Sequence, residues 1–291
     1  MLAGFFALFT GDSIWPPSTS QIGGVIGGLL AFLGGIYVVV TDEDTTDALD
    51  NARRAIDWSE NQELAYHEIL ELSYEYEDAL DQMASLYTVM TVARGTIERA
   101  VQQSHIDEVS VISTCLEATK WNLRIALEFR LNEIWTVCVY KAEKDEVSGE
   151  KQLRLVAHNR SVDCDIENAR PWKPGIGVGG VAFAKNDEVV VPNLDDPAVG
   201  TAFRLEKAMK KEEDIERYKS LFAVPVQVGD REEAWGVVMA TSSVPHHFGN
   251  NENVGVDPEE AVRALAGIVA LAVAVCKNNH QIGGKQRTEN G

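Results

Sequence analysis

The chain has 291 residues, and its 45 acidic side chains outnumber 26 basic ones to leave a net charge of -19 at pH 7. A chain this acidic lacks the clustered Lys and Arg that phosphate backbones require, which excludes nucleic acid as a partner. Its 4 cysteines, Cys115, Cys138, Cys164 and Cys276, stand apart without CxxC or metal-ligand spacing. They are expected to be small buried residues of a reducing compartment, with no disulfide framework and no metal site.

The first element is apolar. Ile22 to Val40 reads IGGVIGGLLAFLGGIYVVV, without a charge. At about 1.5 Å rise per residue it matches a hydrocarbon core of roughly 30 Å, which predicts one transmembrane helix over 22–40. Gly23, Gly27, Ala31 and Gly35 share one face of that helix, and small residues at this spacing favour close pairing in lipid. The preceding LAGFFALF is too short to span and suits the membrane interface, as does Trp15 ahead of Pro16 and Pro17. The alternative is a two-pass hairpin in which residues 2–15 also cross. Residues 1–40 contain no Lys or Arg, whereas Arg53 and Arg54 follow the span. Positive charge therefore predicts a single-pass protein of the cell (inner) membrane with its soluble part in the cytoplasm.

Residues 42–105 are expected to form an acidic helical stalk. Between Asp42 and Asp81 fourteen acidic residues meet only Arg53 and Arg54, and no Pro occurs between Asp42 and Arg170. From Tyr66 a seven-residue repeat appears, with Tyr66, Ser73, Leu80, Tyr87 and Val101 in one seam position and Ile69, Tyr76, Met83, Met90 and Ile97 in the other. This pattern suits a two-stranded coiled coil, although Ser73 and Arg94 are poor seam residues. The alternative is an amphipathic helix laid on the chain's own soluble domain. A second helix is expected from about Ile106 to Phe129, with Val109, Ile112, Leu116, Leu123 and Leu127 as its apolar stripe.

Strands follow. Ile134–Lys141 and Gln152–His158 read as an antiparallel hairpin around EVSGEK. The Gly-rich run from Pro171 to Asp196 predicts a turn, a short helix and the strand Val189–Val191. Lys219–Val228 and Ala234–Thr241 are two further strands joined at Gly229 and Asp230, and Pro258 opens a last apolar-faced helix. The order predicts an α+β domain over 106–278, a central antiparallel sheet with helices against one side. The polar segment 279–291 is expected to be a disordered tail.

This order, with GIGVGGVAFAKNDEVVVPN, then LFAVPVQVGDREEAWGVVMATS, then the closing helix, resembles a GAF domain. The resemblance implies a five- or six-stranded antiparallel sheet, a small-molecule pocket on one face with the Gly-rich helix as a wall, and dimerisation through flanking helices. A membrane helix, a helical stalk and a GAF domain in series also resemble bacterial signalling receptors. Among GAF relatives, free methionine sulfoxide reductases carry a reactive cysteine in a GVCG-like run. Here Gly179 occupies that position, so no thiolate is supplied. No cysteine is followed by His as in bilin-binding relatives, and no Asn-Lys-Phe-Asp signature is present. Pro171 and Pro174 directly before GIGVGG argue against a dinucleotide cradle. His246 and His247 are adjacent and are expected to be loop residues.

The expected function is a membrane-anchored, non-enzymatic sensory protein. Its GAF-like domain binds a small molecule, such as a nucleotide, and signals through the stalk as a homodimer. A dimerising scaffold that recruits a protein partner, or a membrane effector triggered through the domain, are the alternatives. By position the ligand contacts are Trp172 beside the Gly-rich run, Asp195 and Arg204 in the loop after Val189–Val191, and Thr241 at the end of the last strand. Arg204 is the expected anion contact, since its planar fork suits phosphate or carboxylate. The sequence names no cofactor.

Overall fold

The structure, a computed structural model, describes residues 19–41, 43–103, 107–146, 148–162, 169–203, 217–229, 233–249 and 256–289. The chain divides into two compact units, Met1–Leu72 and Ser73–Gly291.

The first unit contains helix α1, Thr19–Thr41, and the first part of helix α2, Glu43–Val101. One helix long and apolar enough to cross a membrane is present among the described residues, Ile22–Thr41, and none of it is buried. The Thr41 hydroxyl closes its last turn by donating to the Tyr37 carbonyl at 2.6 Å. Helix α2 runs 59 residues because nothing breaks it: it lacks Pro, and Gly95 is its one glycine.

In the second unit α2 buries one face on its own domain from Gln82 onward. Val89, Ala93 and Ile97 are at most 4% exposed there. Gln82 anchors the contact: its amide donates to the carbonyls of Ala126, at 3.2 Å, and Val256, and its carbonyl accepts from Val256 N–H at 2.9 Å. The seam residues Tyr76, Leu80, Met83, Tyr87 and Met90 lie elsewhere on the helix and are 48–72% exposed. Ile97 belongs to the same heptad series yet is buried. A straight helix drifts about 20° per heptad against a seven-residue repeat, so after four heptads from Ile69 the series has turned by roughly 80°.

Helix α3, Glu108–Ala126, starts at Asp107, whose carboxylate accepts from Ser110 N–H at 3.0 Å and from the Ser110 hydroxyl at 2.8 Å. These bonds, the hydroxyl first, hold Asp107 below the usual carboxylate range. Strands β1, Trp135–Lys144, and β2, Lys151–Arg160, form the expected hairpin, each longer than the pattern predicts. Helix α4, Gly177–Lys185, strand β3, Val189–Val191, and the short helix α5, Pro197–Ala202, follow. Strands β4, Ser220–Val226, and β5, Gly236–Ser242, are buried throughout. Helix α6 spans Pro258–Glu289, so its backbone continues through the polar segment expected to be a disordered tail. The Lys, Gln and Arg residues there are good helix formers and offset Gly283 and Gly284.

The sheet is antiparallel throughout, in the order β2-β1-β5-β4-β3. Its helix face packs Val137, Val139, Phe222 and Ala240 against Leu116, Leu123, Leu265 and Val269 of α3 and α6, with the end of α2. Its other face packs Cys138, Tyr140, Leu153, Val237 and Met239 beneath Val178 and Ala182 of α4. Helices therefore cover both faces, not one. Cys115, Cys138 and Cys276 are buried, and burial pushes the Cys115 thiol up to about 11. Cys164 lies outside the described residues.

Candidate functional site

The α4 face is built from the Gly-rich run. Gly177 adopts φ +67, a left-handed conformation that L side chains rarely take. Gly180 is fixed by space: a Cβ there would stand 2.2 Å from the Lys173 carbonyl oxygen, and Gly175 N–H donates to the Gly180 carbonyl at 2.7 Å. The turn at 173–175 is thus folded tightly onto α4. Position 179 has room, since a Cβ would meet Met239 Sδ at an ordinary 3.7 Å. Asn186 ends α4 in the left-handed conformation, φ 54.

Beneath α4 the face is apolar at its centre and polar at one end. Register sets Arg160 opposite Thr136, Thr136 opposite Thr241, and Thr241 opposite Leu221. Alternation puts these side chains on the face that carries Cys138 and Met239, so Arg160, Thr136 and Thr241 form a polar row across three strands. Arg160 Nη2 reaches Cys138 Sγ at 3.9 Å. Thr241 is 2% exposed, and its hydroxyl oxygen has no hydrogen-bond partner among the described residues. An unpaired hydroxyl in an apolar interior costs about 1–3 kcal/mol, so its retention here needs a reason.

The residues singled out by sequence fall in different places. Thr241 belongs to the row. Asp195 is exposed and pairs with Lys219 Nζ at 2.5 Å. Lys219 immediately precedes β4, and its N–H donates to the Ser242 carbonyl at 2.8 Å, so Asp195 stands at the same end as the row. Trp172 does not. Its backbone bonds Leu153 in both directions, at 2.7 and 3.0 Å, and Leu153 lies opposite Ala142, six residues along β1 from Thr136. The indole packs on the α4 face beside Tyr140, whose phenol burial pushes well above its ordinary range, and the Arg170 guanidinium stands 5.2 Å from the Trp172 ring centroid. Arg204 lies outside the described residues.

Sequence reasoning missed Arg160, and a β-bulge explains why. Leu153 and Leu155 point to the α4 face, and strict alternation would send His158 and Arg160 to the opposite one. The register slips between Val139 and Tyr140, leaving Val156 as the extra residue, and this returns His158 and Arg160 to the α4 side. Only the tight bend that a bulge accompanies would have signalled this, and VAHNR carries no Gly or Pro to mark it.

His247 lies in the loop after β5, as expected, but its side chain is buried on the helix face, with Nε2 2.8 Å from the Leu127 carbonyl and Nδ1 3.2 Å from Glu133 Oε1. Burial pushes it below the usual imidazole range, against the pull of Glu133. Among the described residues no three His, Cys, Asp or Glu side chains are grouped to hold a metal ion. A cavity of about 310 Å³ opens beside β3 on the helix face. In its lining Arg263 pairs with Glu188 at 2.9 Å and lies 5.2 Å from the Phe222 ring centroid, and Glu259 accepts Gly249 N–H.

No protein-family model and no curated protein matches the sequence. Solved structures similar to the chain include a protein described as a GAF sensor from Burkholderia vietnamiensis, with 15% identity over 67% of this chain and 98% of that one and a TM-score of 0.45. Another is the free methionine-R-sulfoxide reductase of Neisseria meningitidis in complex with its substrate, with 18% identity, 66% and 92% coverage and a TM-score of 0.41. The GAF domain region of a protein described as a membrane protein from Geobacter sulfurreducens PCA has 19% identity, 58% and 94% coverage and a TM-score of 0.39. Likeness of this degree carries nothing about ligand or activity, which have to come from the residues themselves.

Proposed function

We propose that the chain is a membrane-anchored, non-enzymatic sensory protein whose GAF-like domain takes a small polar molecule on the α4 face. The observation that carries this reading is the buried Thr241 hydroxyl without a partner, in a row with Thr136 and Arg160 on an otherwise apolar face. A ligand oxygen or nitrogen would supply that partner, and the Arg160 fork favours a molecule with an anionic group, nucleotides included. Gly179 over Met239 leaves the roof of the face without a nucleophile. Helix α1 supplies the anchor, its apolar side chains uncovered by protein.

The exposed seam of α2 favours a homodimer. Tyr76, Leu80, Met83, Tyr87 and Met90 present an apolar stripe apart from the face that α2 uses on its own domain. A dimer of this kind also supports the scaffold reading, in which the domain recruits a protein and binds nothing small. A thermal-shift screen of the detergent-solubilised full chain against metabolites and nucleotides separates the two. The sensory reading expects at least one compound to raise the melting temperature of the wild type but not of Thr241→Val, by mass action on the folded state. No shift with any compound, together with a stable protein partner in pull-down, favours the scaffold.

A further inference from the structure

Thr241 and Ser242 are consecutive on β5, so their side chains point to opposite faces. Thr241 belongs to the polar row, whereas the Ser242 hydroxyl donates to Glu133 on the helix face. The Glu133 side chain is fully buried, and it also accepts Arg130 N–H at 2.9 Å and stands 3.2 Å from His247 Nδ1. His247 Nε2 must carry hydrogen toward Leu127, because a carbonyl only accepts. Phe129 stacks on both His247, at 4.9 Å between centroids, and Trp135, at 5.0 Å, and Phe248 meets the His247 ring on edge. Besides Glu133, the charged groups felt by His247 are Glu259 at the start of α6 and Arg130.

Three pieces of chain converge on this carboxylate: the connection from α3 to β1, the end of β5, and the loop that leads into α6. The end of β5 is itself gripped, since Ser243 N–H donates to the Ile134 carbonyl at 2.9 Å and Ser242 accepts Lys219 N–H. A displacement of Thr241 therefore carries Ser242 with it. A buried carboxylate that loses a donor is costly, so the network has an intact and a broken form with little between them.

We propose that Ser242, Glu133 and His247 form a latch through which the α4-face site is coupled to α3 and α6, with Ser242 and Glu133 as positioning residues. This deepens the sensory reading and rests on it for what moves Thr241, while the latch itself can be tested without any ligand. Hydrogen exchange is measured on the full chain in lipid nanodiscs. Ser242→Ala should raise exchange about tenfold or more at Leu127–Glu133 and Val244–Phe248 and leave the β1–β2 hairpin within about twofold, and Ser242→Thr, which keeps the hydroxyl, should restore both loops. A uniform rise over the domain, or none in the two loops, overturns the latch. Thr241→Val and Glu133→Gln should combine non-additively in the unfolding midpoint, and additive effects overturn the coupling across β5. If Ser242→Ala does not fold, wild-type exchange against denaturant decides: the two loops should open together, and separate openings refute the proposal. A failed metabolite screen leaves these outcomes untouched, so the two readings fail separately.

Discussion

The two faces of the sheet treat buried polar groups in opposite ways. On the helix face every buried side-chain polar atom among the described residues has a partner, from Asn159, which donates to the Leu116 carbonyl, to Glu133 and Gln82. On the α4 face the Thr241 hydroxyl has none. Both faces are equally part of one fold. The difference separates what holds the domain together from what waits for something else, because a satisfied polar group adds specificity while an unsatisfied one only costs.

The largest expected effect strikes the satisfied face. Glu133→Ala strands the Ser242 hydroxyl and the Arg130 N–H in a buried site, and should lower unfolding free energy by about 3–5 kcal/mol in urea titration. A loss under 1 kcal/mol would make the two faces alike. Next comes pH. His247 is held below its ordinary value in the fold, so the unfolded chain binds its proton first, and stability should fall as pH drops below about 6.5, by up to about 1.4 kcal/mol per unit. His247→Gln should flatten that slope in melting curves taken from pH 7 to 5. Third, Thr241→Val replaces the unpartnered hydroxyl by a methyl of like size and should stabilise the free protein by about 1 kcal/mol. Destabilisation instead would mean that the hydroxyl is structural and would remove the contrast. Smallest is Asp195→Asn, whose exposed pair with Lys219 should matter by less than about 0.5 kcal/mol to the same titration.

The elements were legible where one physical signal dominated. An uncharged run located α1, Pro258 located the start of α6, and apolar runs or apolar–polar alternation located all five strands to within a few residues. Thr241 was legible as the polar end of an apolar strand, but its lack of a partner depends on neighbours brought from β1 and β4. Arg160 was hidden by the bulge opposite Val139 and Tyr140, which reverses the side-chain phase within one strand. The docking face of α2 was hidden too. Gln82, Val89 and Ala93 form a second periodic series beside the heptad one, and sequence periodicity does not say which series meets the chain's own domain.

The sheet's two edges bear on how copies of this chain can come together. At one edge the backbone of Trp172 occupies a rung beside β2, and at the other β3 offers only three residues before Pro192 ends the pairing. Strand β3 is too short to template a foreign strand, the usual route to fibres and runaway aggregation, and at the other margin Trp172 covers β2 at Leu153. Unpinning Trp172 would free the Leu153 amide and carbonyl as well. A homodimer of the proposed kind would then pair through helices and not by extending the sheet at β3.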